Sequence, residues 1–165
     1  MKHTIRLAFC SMGAALATVL MLLTGLFPFA TYALPGLAGV VGIALVIECG
    51  IGWALSSYAA SAALSLFVSP DKEAALIYVL FAGYYPILKA LFEKIRLRLV
   101  AYLCKFALFN ASVIAAYFLA VYVVGVPAES FQIFGASLPW VLLLIGNVVF
   151  LLFDFGLSSL VVLYY

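Results

Sequence analysis

Residues 45–53 read LVIECGIGW, with Glu48 in a setting that is otherwise apolar. Glu48 is the one charge between residues 33 and 68. If 31–68 were a single helix it would reach about 57 Å at 1.5 Å per residue, against a bilayer hydrocarbon core of about 30 Å. A turn is therefore required. The Cys49-Gly50-Ile51-Gly52 stretch supplies it, because glycine relieves the backbone where a chain reverses. This reading divides the segment into two crossings and fixes the number of spans.

Composition explains why crossings are the right unit. Of the 165 residues, 69% are hydrophobic and 8% are charged, and the mean hydropathy is +1.33. A soluble domain carries about 25% charged residues, so this chain cannot cover a water-facing surface. At about 20 residues per crossing, the length accommodates six helices with short loops and leaves no room for a soluble domain. Long continuous apolar runs favour helices over barrel strands, which alternate over about ten residues. The expected fold is all-α and polytopic, a single membrane domain with spans at about 4–27, 31–48, 51–68, 74–92, 99–125 and 137–163.

Charge gives a second route to the same count. Lys2, His3 and Arg6 precede the first span, and Lys89, Lys94, Arg96, Arg98 and Lys105 surround the junction of the fourth and fifth. Basic clusters favour the cytoplasmic side, so an even number of spans must separate them. Splitting 31–68 gives four, with both termini inside. Glu48 then sits at the cytoplasmic end of the second span, at a depth similar to Lys89, Lys105 and Asp154. These four are read as a candidate buried ionic cluster. It either fixes helix register by pairing and snorkelling or serves gating or partner contact.

No catalytic constellation is present. The sole histidine is His3, and no HExxH, GxSxG or Walker sequence occurs. The chain is expected not to be an enzyme, and to need no cofactor, no metal and no nucleic-acid partner. Cys10, Cys49 and Cys104 lack metal-ligand spacing and read as small packing residues. The basic start with an apolar run mimics a signal peptide, but the run is too long and FPFATYALPG is a poor cleavage site. An uncleaved first helix is expected.

Small residues four apart let helices approach closely in lipid. On the first span Ser11/Ala15 and Gly13/Ala17 have that spacing and form a candidate docking face for a membrane partner. Gly36, Gly39 and Gly42, and the run SSYAASAALS, read as internal packing. Pro86, in GYYPILK, removes a backbone donor and predicts a kink. Aromatic residues gather toward the outer half: Phe27, Tyr32, Tyr78, Tyr117, Phe131 and Trp140. They read either as an interfacial belt or as walls of an outward pocket, with Asn147 a polar contributor. Asn110 reads as bonding to a neighbouring helix.

These features together resemble the substrate-binding S components of energy-coupling factor (ECF) transporters. The resemblance covers nearly the whole chain, and its carriers are six spans, a basic start and the small-residue face S11MGAA15LA17. The ALPGLAG and GYYPILK segments fit it as well. The resemblance implies a multi-pass protein of the bacterial plasma membrane, embedded in lipid, that binds a vitamin or related micronutrient from outside. It implies partnership with a membrane scaffold subunit and two cytoplasmic ATPases, and toppling to deliver the substrate inward. Ser11, Gly13, Ala15 and Ala17 would face the scaffold; Phe27, Tyr32, Tyr78, Tyr117, Phe131, Trp140 and Asn147 would contribute to the pocket. Two other classes fit the same composition: a structural or assembly protein of the MreD-like cell-shape type, and a small ion-coupled transporter using Glu48 and Asp154 as carriers.

Overall fold

A computed structural model of the chain describes residues 3–27, 30–119, 121–122, 125 and 139–164, with backbone alone at 139–142 and 164. Among the described residues the structure is helical, without strands. The chain divides into two compact units, Met1–Arg98 and Leu99–Tyr165.

In the first unit α1 spans His3–Leu23, α2 Ala33–Cys49 and α3 Ile51–Val68. A broken helix follows: α4 (Lys72–Ile77), a π-helical segment at Tyr78–Ala82, then α5 (Tyr85–Phe92). The second unit contains α6 (Arg98–Leu119), entered at its first turn, and α7 (Pro139–Tyr164). Among the described residues, five helices are long and apolar enough to cross a membrane: His3–Leu23, Ile51–Val68, Lys72–Phe92, Arg98–Leu119 and Leu143–Leu163. Ala33–Cys49 is equally apolar but has 17 residues, a length of about 26 Å.

The reversal between α2 and α3 is made by one residue. Gly50 has φ +92° and ψ 166°, a region that residues with a Cβ scarcely enter. Its N–H still donates to the Val46 carbonyl at 3.0 Å, and its own carbonyl accepts from Ala54 at 3.1 Å. The chain turns without abandoning these backbone groups, which an apolar environment would penalise. Gly52, by contrast, is the second residue of α3 and has no left-handed φ. Its part in the turn is not conformational.

The interior of this unit is built from small side chains. Ala17, Met21, Ala38, Ala62, Ala74, Ala75, Tyr78 and Ala82 form one buried cluster. Cys10, Leu45, Cys49, Ala54 and Ile87 form another. All three cysteines are free thiols. The helices approach to backbone distance: a Cβ on Gly39 would lie 2.1 Å from the Ala82 carbonyl oxygen. Pro86 is the second residue of α5, so the helical break precedes it. The Gly83 N–H reaches back five residues to the Tyr78 carbonyl at 2.8 Å, closing the π turn.

In the second unit α6 and α7 pair through matched steps of four residues. Lys105 meets Asp154, and Phe109 stacks on Phe150 with ring centroids 4.8 Å apart. Rising numbers on one helix meet falling numbers on the other, so the two run antiparallel. Phe106 meets the same Phe150 edge-on at 5.3 Å, and Gly146 makes room for the Phe109 ring.

The turn yields a direct test. Gly50→Ala should destabilise the protein by about 1–3 kcal/mol, although no atom lies within 4 Å of the added methyl. Gly52→Ala, equally open, should be neutral or stabilising. Reversible unfolding of both variants in mixed micelles measures the difference; equal effects would remove the special status of Gly50.

Candidate functional site

The polar groups of the first unit converge on Tyr58. Its hydroxyl donates to the Val79 carbonyl in the π segment. Its ring packs near Tyr78, with centroids 6.1 Å apart, and edge-on to Tyr84 at 5.8 Å. Ser61 shares a 2.7 Å hydrogen bond with the Tyr78 hydroxyl, and Ser57 donates to the Cys10 carbonyl at 2.9 Å. Gly83 is needed beneath this group, since a Cβ there would lie 2.7 Å from the Tyr58 ring. The space among Tyr58, Ser57, Ser61, Tyr78, Gly83, Gly13, Ala17 and Gly42 is about 10 Å³, room for about one water molecule. A small organic ligand needs a cleft of roughly 300–1,000 Å³.

One end of the same unit is laced by side chains. Thr24 and Ser69 share a 3.3 Å hydrogen bond, and Ser69 also donates to the Met21 carbonyl at 3.2 Å. Thr31 donates to Asp71 at 2.8 Å and Tyr32 to Glu73 at 2.8 Å. Asp71 meanwhile caps α4, accepting from the backbone of Glu73 and Ala74. Thr24, Thr31 and Tyr32 are thereby tied to residues 69–73, with Lys72 held on the Leu66 and Ser69 carbonyls.

The residues expected at a substrate pocket fall in several environments. Tyr78 is a core residue engaged by Ser61. Phe27 is exposed, and Tyr32 is 70% exposed while bonded to Glu73. Tyr117 is half-buried and meets Phe118 edge-on at 5.8 Å. Asn147 is the partner of Asn110: each amide donates to the other's oxygen at 3.1 Å. Phe131 and the Trp140 side chain lie outside the described residues. Phe27, Tyr32 and Tyr78 belong to the first unit, Tyr117 and Asn147 to the second.

The four small residues on α1 do not share a face. Ser11 and Ala15 are exposed, whereas Gly13 and Ala17 are buried. The reason is helical geometry: an offset of two residues turns the direction by about 200°. Gly13 lies against Leu45, whose methyls are 2.9 Å from the position a Cβ would take. Gly13 and Ala17 are thus internal packing residues, leaving Ser11 and Ala15 for contact outside the unit.

Of the four charged candidates, Glu48 and Lys89 belong to the first unit and Lys105 and Asp154 to the second. Glu48, in the last turn of α2 beside the reversal, is exposed. Lys89 is buried and reaches Glu93 one turn on, at 3.1 Å. Lys105 and Asp154 form a buried pair, with both carboxylate oxygens within 3.2 Å of the ammonium. The Tyr102 ring centroid lies 5.4 Å from the same ammonium. Among the described residues no group of three or more His, Cys, Asp or Glu could hold a metal ion.

The Lys105–Asp154 pair has a sharp mutational signature. Lys105→Met or Asp154→Leu alone should destabilise by about 3–5 kcal/mol, because this buried ion pair is broken between two apolar helices; replacing both should recover most of the loss. A double-mutant cycle from unfolding in micelles measures this, and additive losses would show that the two charges act independently. Comparison of the chain with family models, with characterised proteins and with solved structures finds no match, so the functional reading rests on the residues themselves.

Proposed function

We propose that the chain is the substrate-specific membrane subunit of an ECF-type uptake transporter. In this reading it crosses the bilayer six times, with Ala33–Cys49 as the short second crossing and both termini cytoplasmic. It binds a vitamin or related micronutrient from outside and delivers it inward with a scaffold subunit and two ATPases. It performs no covalent chemistry of its own.

The observation that carries the reading is the exposed Ser11–Ala15 face of α1. Small residues exposed four apart on a membrane helix suit close approach by a second helix. The sequence resemblance assigns that approach to the scaffold subunit. A second reading, an assembly protein of the MreD-like type, is favoured by the filled interior of the first unit, where the space around Tyr58 is about 10 Å³. Such a protein would hold partners and bind no small molecule.

Co-purification separates the readings. The tagged chain, expressed with an ECF scaffold and its two ATPases, should co-elute with all three. Ala15→Trp should abolish co-elution while leaving the unfolding temperature of the isolated subunit unchanged, because Ala15 is exposed. Gly13→Trp should instead destabilise the isolated subunit, because Leu45 occupies the space. Failure of the folded wild-type chain to co-elute would overturn the transporter reading and favour the assembly role.

A further inference from the structure

Residues 93–99 read EKIRLRL, in which Lys94, Arg96 and Arg98 alternate with Ile95, Leu97 and Leu99. It is the densest basic run in the chain, and it joins the two compact units. After α5 the backbone makes a tight turn: the Lys94 N–H donates to Leu91 at 3.1 Å and the Ile95 N–H to Phe92 at 3.0 Å. α6 then begins at Arg98. All three cations are exposed. Leu97 and Leu99 are 67% and 75% exposed.

The neighbouring carboxylate is already engaged. Glu93 takes the Lys89 ammonium at 3.1 Å, so its charge is directed to a buried cation. Among the described residues, none of Lys94, Arg96 and Arg98 is held in an ion pair. The preceding helix, Lys72–Phe92, has 21 residues. Although broken within, this segment is long and apolar enough to cross a membrane, so residues 93–97 directly follow the end of a crossing.

We propose that the Lys94–Leu99 connection is a binding site for anionic phospholipid headgroups. The guanidinium groups of Arg96 and Arg98 suit bidentate contact with lipid phosphate. Lys94 adds a point charge, and Leu97 and Leu99 enter the acyl boundary beside the same lipids. A zwitterionic headgroup carries its own ammonium and gains less from three uncompensated cations. The basic segment is thereby anchored to one leaflet independently of any protein partner.

Lipid titration of the purified full chain in detergent, read by native mass spectrometry, tests the proposal with phosphatidylglycerol and phosphatidylcholine as probes. Phosphatidylglycerol should bind preferentially. The combined variant Lys94→Ser, Arg96→Ser, Arg98→Ser should weaken its binding on the order of 100-fold, with helicity by circular dichroism unchanged. Arg96→Lys with Arg98→Lys should keep the preference, since the charge remains. If the serine variant fails to fold, the wild type still decides: raising salt from about 0.05 to 0.5 M should weaken phosphatidylglycerol binding by screening, and no change would overturn the proposal. It would also be overturned by a folded serine variant that keeps the preference, or by displacement of the lipid by equimolar inorganic phosphate. Loss of co-elution with the ATPase module at unchanged lipid binding would overturn it too, marking the segment as a protein contact.

Discussion

The first unit depends on the close approach of α2 to the broken helix, at Gly39 and the Ala82 carbonyl. Pro86 has no N–H, so that carbonyl lacks the donor an α-helix would supply four residues on. In an apolar surrounding such a group must be covered by protein. Glycine at 39 lets the backbone of α2 close over it, where a Cβ would stand 2.1 Å from the oxygen. The π turn at Tyr78–Ala82 belongs to the same arrangement: it re-aims Tyr78 toward Ser61 and presents the Val79 carbonyl to Tyr58. A proline, two glycines and two tyrosines therefore specify one packing, and the alanine-rich cluster fills what remains.

The two units solve the same problem with different chemistry. In lipid, apolar contact alone does little to distinguish one helix face from another, because the surrounding acyl chains are as apolar as leucine. The first unit gains specificity from hydroxyls that bond to backbone carbonyls and from glycines that admit neighbours. The second uses a hairpin of large rings and full charges: Phe106, Phe109 and Phe150 set the spacing, while Lys105–Asp154 and Asn110–Asn147 fix the register. The ionic and amide pairs join different residues of the same two helices, so a slip by one turn would break both at once.

Much of this organisation was legible in the sequence, and the remainder has a physical reason for being hidden. The apolar runs and the Gly50 break follow from length and backbone chemistry, and the helices α2 and α3 flank that residue directly. Lys105 and Asp154 were legible as members of a four-charge layer with Glu48 and Lys89, because a charge in such a chain needs a partner; which charge meets which was not. The inward faces were not. With apolar residues on every side, periodicity does not separate lipid-facing from core-facing positions. Tyr78, read as an outer aromatic, is buried against Ser61, and Asn147, read as a polar pocket contributor, pairs with Asn110. The one available signal was the run Ser57, Ser61, Ser65 at four-residue spacing, which was read as mere small-residue packing. Its hydroxyls in fact bind Cys10, Tyr78 and the α3 backbone. Glu48 was grouped with a buried ionic cluster because it shares its depth with Lys89, Lys105 and Asp154, whereas its side chain is exposed. Its place in the turn before Gly50 lets it face outward.

The same geometry narrows what α1 can do. A helix offering small residues in two registers offset by two positions has two faces, and one is consumed by its own fold. Gly13 and Ala17 admit Leu45 and the alanine cluster, so any change there is felt first as lost stability. Ser11 and Ala15 are held on the opposite side by the same rigid packing, flanked by the exposed Met12 and Leu16. Ser11 bonds back to the Leu7 carbonyl at 2.9 Å, which satisfies its hydroxyl without an outside donor. A face that is small, flat and already satisfied in its hydrogen bonds can accept a helix by shape alone and release it without leaving a polar group exposed to lipid.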